Sequence, residues 1–200
     1  MVTITIYVEG GGNGNELKER CRKGFQKFFE KAGMRGRMPK VVACGARQNA
    51  YDRFCTAVTM TGDHRLPLLL VDSEVPVSDS PWRHLQSRDA WSRPEGAQDE
   101  QAHLMVQVME SWFLADRPAL VRHFGQGFRE SALPTQSNIE EIPKQVVFDS
   151  LKSATRDSRA GAYNKGKHSF EILGKIDPAK VRDVSPHADR LLRAIDISNE

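Results

Sequence analysis

Apolar and polar positions alternate with two different periods along this chain, and the change of period marks out its elements. Residues 2–8 (Val-Thr-Ile-Thr-Ile-Tyr-Val) are β-branched and aromatic, a strand signature. After Glu9 and the turn Gly10-Gly11-Gly12-Asn13-Gly14-Asn15, the period lengthens. Leu17, Cys21, Phe25, Phe28, Phe29 and Ala32 recur at helical spacing, and Gly33 is a natural stop. A short strand follows over 40–44, closed by Gly45. A helix over about 47–60 carries Tyr51, Phe54, Cys55 and Val58 on one stripe.

Residues 66–71 (Leu-Pro-Leu-Leu-Leu-Val) form an aliphatic run without a polar break, as expected of a central strand buried on both faces. The run ends in Asp72-Ser73-Glu74. From 75 to 101 the pattern dissolves into Pro, Ser, Asp and Gly, which predicts a long loop folded back through Trp82, Leu85 and Trp91. A fourth strand is predicted over 104–109, ending at Glu110, and a helix start over 111–115. Asp116 reads as the cap of a further helix near Pro118. The last third reads as helices over about 143–154, 169–173 and 187–195, interrupted by a loop over 161–168.

The order β-α-β-α-β favours an α/β fold: a mostly parallel central sheet with right-handed crossovers and helices on both faces. Two hundred residues suit one domain, divided into a core over 1–125 and a helical C-terminal layer over 126–200. No apolar run approaches the ~20 residues that cross a bilayer, and the first strand begins too early for a leader. Three cysteines without CxxC spacing point to a reducing compartment, the cytoplasm, and argue against structural zinc.

The net charge of +3 does not by itself imply a nucleic-acid partner. Its distribution adds a choice. Lys18, Arg20, Arg22, Lys23, Lys27, Lys31, Arg35 and Arg37 crowd one segment, either as a solvated helix face or as a surface that attracts phosphate.

Three predicted strands end in acids: Glu9, then Asp72 with Glu74, then Glu110. In open α/β sheets ligands gather beyond the carboxyl ends of strands, and carboxylates are the hard ligands preferred by Mg²⁺ or Mn²⁺. Each acid alone also suits a solvated strand end or a helix cap; together on neighbouring strands they favour a cation site. Gly10, Gly11 and Gly12 lack the Walker and dinucleotide patterns, since Asn15 stands where either would need another residue. They suit a tight connection or a backbone approach to phosphate. Arg47, on the same predicted edge, suits a phosphate or a carboxylate partner, while Lys165 and Lys167 suit phosphate or open solvent. Trp112 and Phe113 read as core, His103 as structural, and no Ser-His-Asp arrangement is legible.

Strand-Glu9-Gly10 followed, two β-α units later, by strand-Asp72-x-Glu74 resembles the Toprim domain of topoisomerases, primases and overcoming-lysogenization-defect nucleases. The resemblance implies a Toprim-like Rossmannoid with Glu9 as general acid/base and Asp72 and Glu74 as Mg²⁺ ligands. Glu74 stands where that family has a second aspartate. Tyr7-Val8-Glu9-Gly10-Gly11-Gly12, Cys44-Gly45-x-Arg47, Leu70-Val71-Asp72-Ser73-Glu74, Met109-Glu110-x-Trp112-x-x-x-Asp116 and Tyr163-x-Lys165-Gly166 resemble a narrower group over nearly the whole chain. This is the bacterial domain-of-unknown-function family forty-two seventy-six, Toprim-like proteins often encoded beside ATPases in phage-defence or mobile-element neighbourhoods.

The expectation is a Mg²⁺-dependent (or Mn²⁺-dependent) phosphoesterase, a nuclease acting on DNA or RNA, with an ATPase as its partner. Asp72 and Glu74, helped by Glu110, would hold metal, Glu9 would move the proton, and Arg47 and Lys165 would steady the phosphate. The alternative is a non-catalytic nucleic-acid or nucleotide-binding subunit that regulates the ATPase. A homo-oligomer is compatible with either.

Overall fold

A computed structural model describes residues 2–60 and 65–197. Four parallel strands form one sheet in the order β2-β1-β3-β4: β1 (Thr3–Val8), β2 (Lys40–Ala43), β3 (Arg65–Asp72) and β4 (Ala102–Met105). The chain runs from β1 outward to β2 through α1 (Asn15–Phe29), then returns through α2 (Arg47–Thr59) to β3 on the other side of β1. Connections leave β1 and β3 in opposite directions, so the crevice beyond their carboxyl ends is the topological switch point where open α/β sheets bind ligands.

Strand alternation divides the core in two. Ile4, Ile6, Val8, Leu68 and Leu70 face the larger layer, with Phe25, Phe28 and Phe29 of α1. Leu69 and Val71 face the smaller one, with Ala50 and Phe54 of α2. Burial on both faces explains why β3 reads as an unbroken aliphatic run. Later helices join the larger layer: α4 (Arg117–Phe124), α5 (Lys144–Thr155), α6 (Lys165–Leu173), α7 (Pro178–Val184) and α8 (Pro186–Ile197). Trp112 and Phe113 are fully buried there, and Phe28 stacks on Trp112. Helix α1 gives way to a π-type turn, and Gly33, at φ 88°, ends it as expected.

Four expectations need correction. The stretch 75–101 is not all loop, because Pro81–Asp89 forms α3, entered with Pro in its first turn and packed through Trp82 and Leu85. Its apolar face was legible, but the surrounding prolines and serines masked it. The fourth strand begins at Ala102 and ends at Met105, four residues before the expected 109. Glu110 therefore lies in a 3₁₀ segment, Met109–Ala115, rather than at a strand end. The expected loop over 161–168 turns helical at Lys165, where Asn164 caps α6 by accepting from the Lys167 amide. Helix α7 has only seven residues and shows too little periodicity to be read from sequence.

All three cysteines are free thiols. No helix among the described residues is long and apolar enough to cross a membrane.

Candidate functional site

The site grows from two adjacent strand ends. β1 and β3 are paired in register (Val8 opposite Leu70), so Glu9 and Asp72 emerge side by side. The Asp72 amide donates to Glu9 Oε2 at 3.2 Å, joining the two strand ends directly. Beyond Asp72 the backbone leaves the sheet. The Ser73 and Glu74 amides donate to the carbonyls of Met105 and Gln107, and Glu74 adopts φ 69°. His84 of α3 holds the Ser73 carbonyl through Nε2 at 2.9 Å. These restraints aim Glu74 back toward its neighbours. One carboxylate oxygen from each of Glu9, Asp72 and Glu74 falls within a group no wider than 4.8 Å.

Each acid is held differently. Arg47, first residue of α2, donates to Glu9 Oε2 at 3.1 Å and to the Asp72 carbonyl, and forms a two-pronged pair with Asp89 at 3.0 and 2.7 Å. Its guanidinium also lies 5.0 Å from the centre of the Trp91 ring. Asp72 is buried, and its Oδ1 accepts from the Met109 amide at 2.8 Å, which ties β3 to the segment bearing Glu110. Glu74 is gripped by Lys144 at the start of α5, with Arg88 at 3.9 Å. Fully buried Glu110 accepts at Oε1 from the hydroxyls of Tyr163 (2.9 Å) and Ser169 (3.0 Å). Its Oε2 has no hydrogen-bond partner and faces Lys165 Nζ at 3.7 Å.

Electrostatics follow from this placement. Burial pushes the Asp72 carboxyl well above the usual carboxylate range, and the charges of Glu9 and Glu110 push it further. Burial also raises Glu9, while Arg47 pulls it part of the way back. Burial opposes charge on Lys165, yet the field of Glu110, Asp72, Glu9 and Glu74 outweighs that and raises it. Asp72 is thus a buried acid short of positive charge.

A cavity of about 310 Å³ opens over Glu9 and Asp72. Gly10, Gly11, Gly12 and Gly45 form one wall, Lys165 and Gly166 another, and Leu17, Met105, Met109 and Phe170 give it an apolar side. The glycine turn is set by close packing: a Cβ on Gly45 would lie 2.4 Å from the Gly12 carbonyl, and one on Gly11 would lie 2.8 Å from the Lys18 backbone. Lys167 does not line the cavity, and its Nζ donates to the Ala160 carbonyl at 3.1 Å. Of the predicted residues, Glu9, Asp72 and Glu74 come together as one donor group. Arg47 supports Glu9 from behind, and Glu110 lies beneath with Lys165 beside it. His103 is buried, contacts Arg190 through Nδ1, and is driven down to about 3 by burial, so it does not belong to the site.

Asp89, Arg88, Lys144, Tyr163 and Ser169 complete the surroundings and were not assigned roles from sequence. Asp89 had a findable signal, since it closes the Trp82–Leu85 helical stripe. Lys144 had none, as its distance in sequence from Glu74 is closed only by tertiary packing.

The donor set fits a hard divalent cation. Carboxylate oxygens converge, Asp72 lacks compensating charge, and Glu110 Oε2 is an unmet acceptor beneath. Fold and site together define an α/β domain with an acidic centre at the switch point of a parallel sheet. The chain belongs to DUF4276, a domain of unknown function, whose family model matches residues 8–196. No curated protein and no solved structure matches it.

Proposed function

We propose that this chain is a Mg²⁺- or Mn²⁺-dependent phosphoesterase, a nuclease of Toprim type that cleaves DNA or RNA in the cytoplasm, within an anti-phage defence system and beside a partner ATPase. The observation that carries the reading is the convergence of Glu9, Asp72 and Glu74 oxygens within 4.8 Å, beside a cavity that Glu9 and Asp72 line. Such a cation, when bound, supplies charge to a phosphate oxygen and acidifies water.

The chain's own groups supply the rest. Glu9 Oε2 is fixed by Arg47 and the Asp72 amide, and no hydrogen bond from the described residues occupies its Oε1. That oxygen takes a proton from the attacking water as the new P–O bond forms, and returns it to the leaving alkoxide as the old bond breaks. Its raised affinity for protons suits that exchange. Lys165 brings a half-exposed ammonium to the same cavity, where it offsets phosphate charge. The apolar side around Phe170 suits a flat ring next to that phosphate.

The test is cleavage of plasmid, single-stranded DNA and RNA with Mg²⁺, with Mn²⁺ and with chelator. Asp72→Asn keeps an oxygen that accepts from the Met109 amide while removing the charge, so the fold is retained. Its cleavage rate is expected to fall about 1,000-fold, roughly 4 kcal/mol. One observation favours a second reading, a non-catalytic regulatory subunit of an ATPase complex: Lys144 and Arg88 already offset Glu74. Nucleic-acid binding without cleavage, with and without the ATPase, selects that reading.

A further inference from the structure

We infer that the seam between α1 and α6 is a track for a single-stranded polynucleotide leading out of the acidic cavity; this rests on the phosphoesterase reading above. Three depressions share lining residues in series, the first two at the seam and the third on α1 and the turn that follows it. The acidic cavity shares Phe170 with a depression of about 160 Å³ lined by Arg20, Lys23, Lys27 and Glu171. That one shares Lys23 and Lys27 with a third, of about 340 Å³, which adds Glu30 and Arg35.

Charge along the track favours a polyanion. Arg20, Lys23, Lys27 and Arg35 line it against two acids, Glu171 and Glu30. Glu171 is paired with Lys175 at 2.6 Å, and Glu30 and Arg35 offset each other at 2.5 Å, so the net positive charge of the track comes from Arg20, Lys23 and Lys27. Lys23 pairs only with the exposed Glu19 of its own helix, and Lys27 has no carboxylate partner among the described residues. Arg20, Lys23 and Lys27 are spaced at i, i+3 and i+7, so they stand on one face of α1 over roughly 10 Å. That length matches about three stacked nucleotides at 3.4 Å each.

The walls are fixed. Arg20 donates to the Gly166 carbonyl at 2.8 Å and to that of Lys167, which ties α1 to the start of α6. Gly24 packs so closely that a Cβ there would lie 2.6 Å from the Phe170 carbonyl. Phe170, which lines both the cavity and the seam, is thereby held in place between them. A single strand rather than a duplex fits the inner end. Asp72 is only 5% exposed, and the cavity above it admits about one nucleotide, which a paired backbone could not deliver without opening.

The test uses the full chain and labelled oligonucleotides, with Ca²⁺ in place of Mg²⁺ to hold the strand uncut. Lys23→Glu combined with Lys27→Glu is expected to weaken binding of a 20-nucleotide single strand at least tenfold at low salt. The same pair should lower the salt slope by about 1.4, the value for two lost contacts on a single strand. Hydrolysis of bis(p-nitrophenyl) phosphate with Mn²⁺ should be unchanged in that variant. DNA and RNA 20-mers run side by side identify the sugar. Unchanged 20-mer affinity in the variant overturns the track, as does a wild-type preference for duplex or equal binding of a polyglutamate peptide. Loss of small-diester hydrolysis along with strand binding also overturns it, by showing a general structural effect. If wild type binds the strand in this charge-dependent way but hydrolyses no diester, the track stands and the phosphoesterase reading falls.

Discussion

Glu9 sits at a strand end with 20% of its side chain exposed, and its bonded oxygen is shared by a guanidinium and a backbone amide. Glu110 sits in a 3₁₀ turn with none exposed, and its bonded oxygen is shared by two hydroxyls. Both push on Asp72 between them. The first acid is compensated by full charge that is in place before any ligand arrives. The second is compensated by dipoles, and its other oxygen meets only a half-exposed ammonium at 3.7 Å. One arm of the site is therefore finished in the folded chain, and the other is left with an unmet demand for positive charge.

The largest effect should come from breaking the finished arm. Arg47→Met takes the shared guanidinium from Glu9 and Asp89, leaving Glu9 only the Asp72 amide and Asp89 only Arg88, and denaturant unfolding should show a loss of about 3 kcal/mol. The same change at Arg35, whose pair with Glu30 lies in solvent, should be near neutral.

Meeting the demand of the other arm comes next. Mg²⁺ or Mn²⁺ at 100 times its dissociation constant should raise stability by about 2.7 kcal/mol. Without the ion, stability should fall as pH rises. Asp72 and Glu9 both hold protons more tightly folded than unfolded, so the native state binds more protons across the interval between their ordinary value near pH 4 and their raised values. Raising the pH through that interval removes those protons at the expense of the fold. The ion should reverse the slope, because it binds the ionised form. Thermal melts from pH 4 to pH 8, with and without Mg²⁺, should coincide at the acid end and diverge as pH rises; parallel curves would show that the acids do not share an ion.

Tyr163→Phe removes one of two hydroxyls from Glu110 and should cost about 2 kcal/mol, since hydrogen bonds to charged groups are the stronger ones. Ser169→Ala should cost a similar amount, since each change leaves the other hydroxyl on the same oxygen. Lys165→Met should be smallest for stability, under about 1 kcal/mol, because the Lys165 side chain is 57% exposed and its charge is screened by solvent. Its effect on cleavage should be larger than its effect on melting, which separates a role toward substrate from a role in folding.

How much of this was legible follows from the range of each interaction. The sheet was readable because each strand carries its own pattern, and β3 in particular has six consecutive buried residues at its end. Glu9, Asp72 and Glu74 were readable as a group because each follows a strand whose carboxyl end must lie on the same edge. Helix α3 was not, because its short stripe of Trp82 and Leu85 lies among loop-forming residues. Misjudging it hid Arg88 and Asp89, and with them the reason Arg47 faces the acids rather than open solvent. The 3₁₀ course of Met109–Ala115 was not readable either, since it is held by Asp72 and by helices far away in sequence. Lys144 belongs to the same class of contact, made only when α5 docks.

The reach of α6 back across the cavity has a consequence for synthesis. Asp72 leaves the ribosome 93 residues before Lys165, and Tyr163 and Ser169 are translated in the same late stretch. At ordinary elongation speeds that gap lasts roughly 5–20 s. During it the nascent chain carries its acids but neither the ammonium nor the hydroxyls that temper them. A polypeptide stalled before α6 would hold a half-built, self-repelling centre, completed only when the segment from Tyr163 to Ser169 docks.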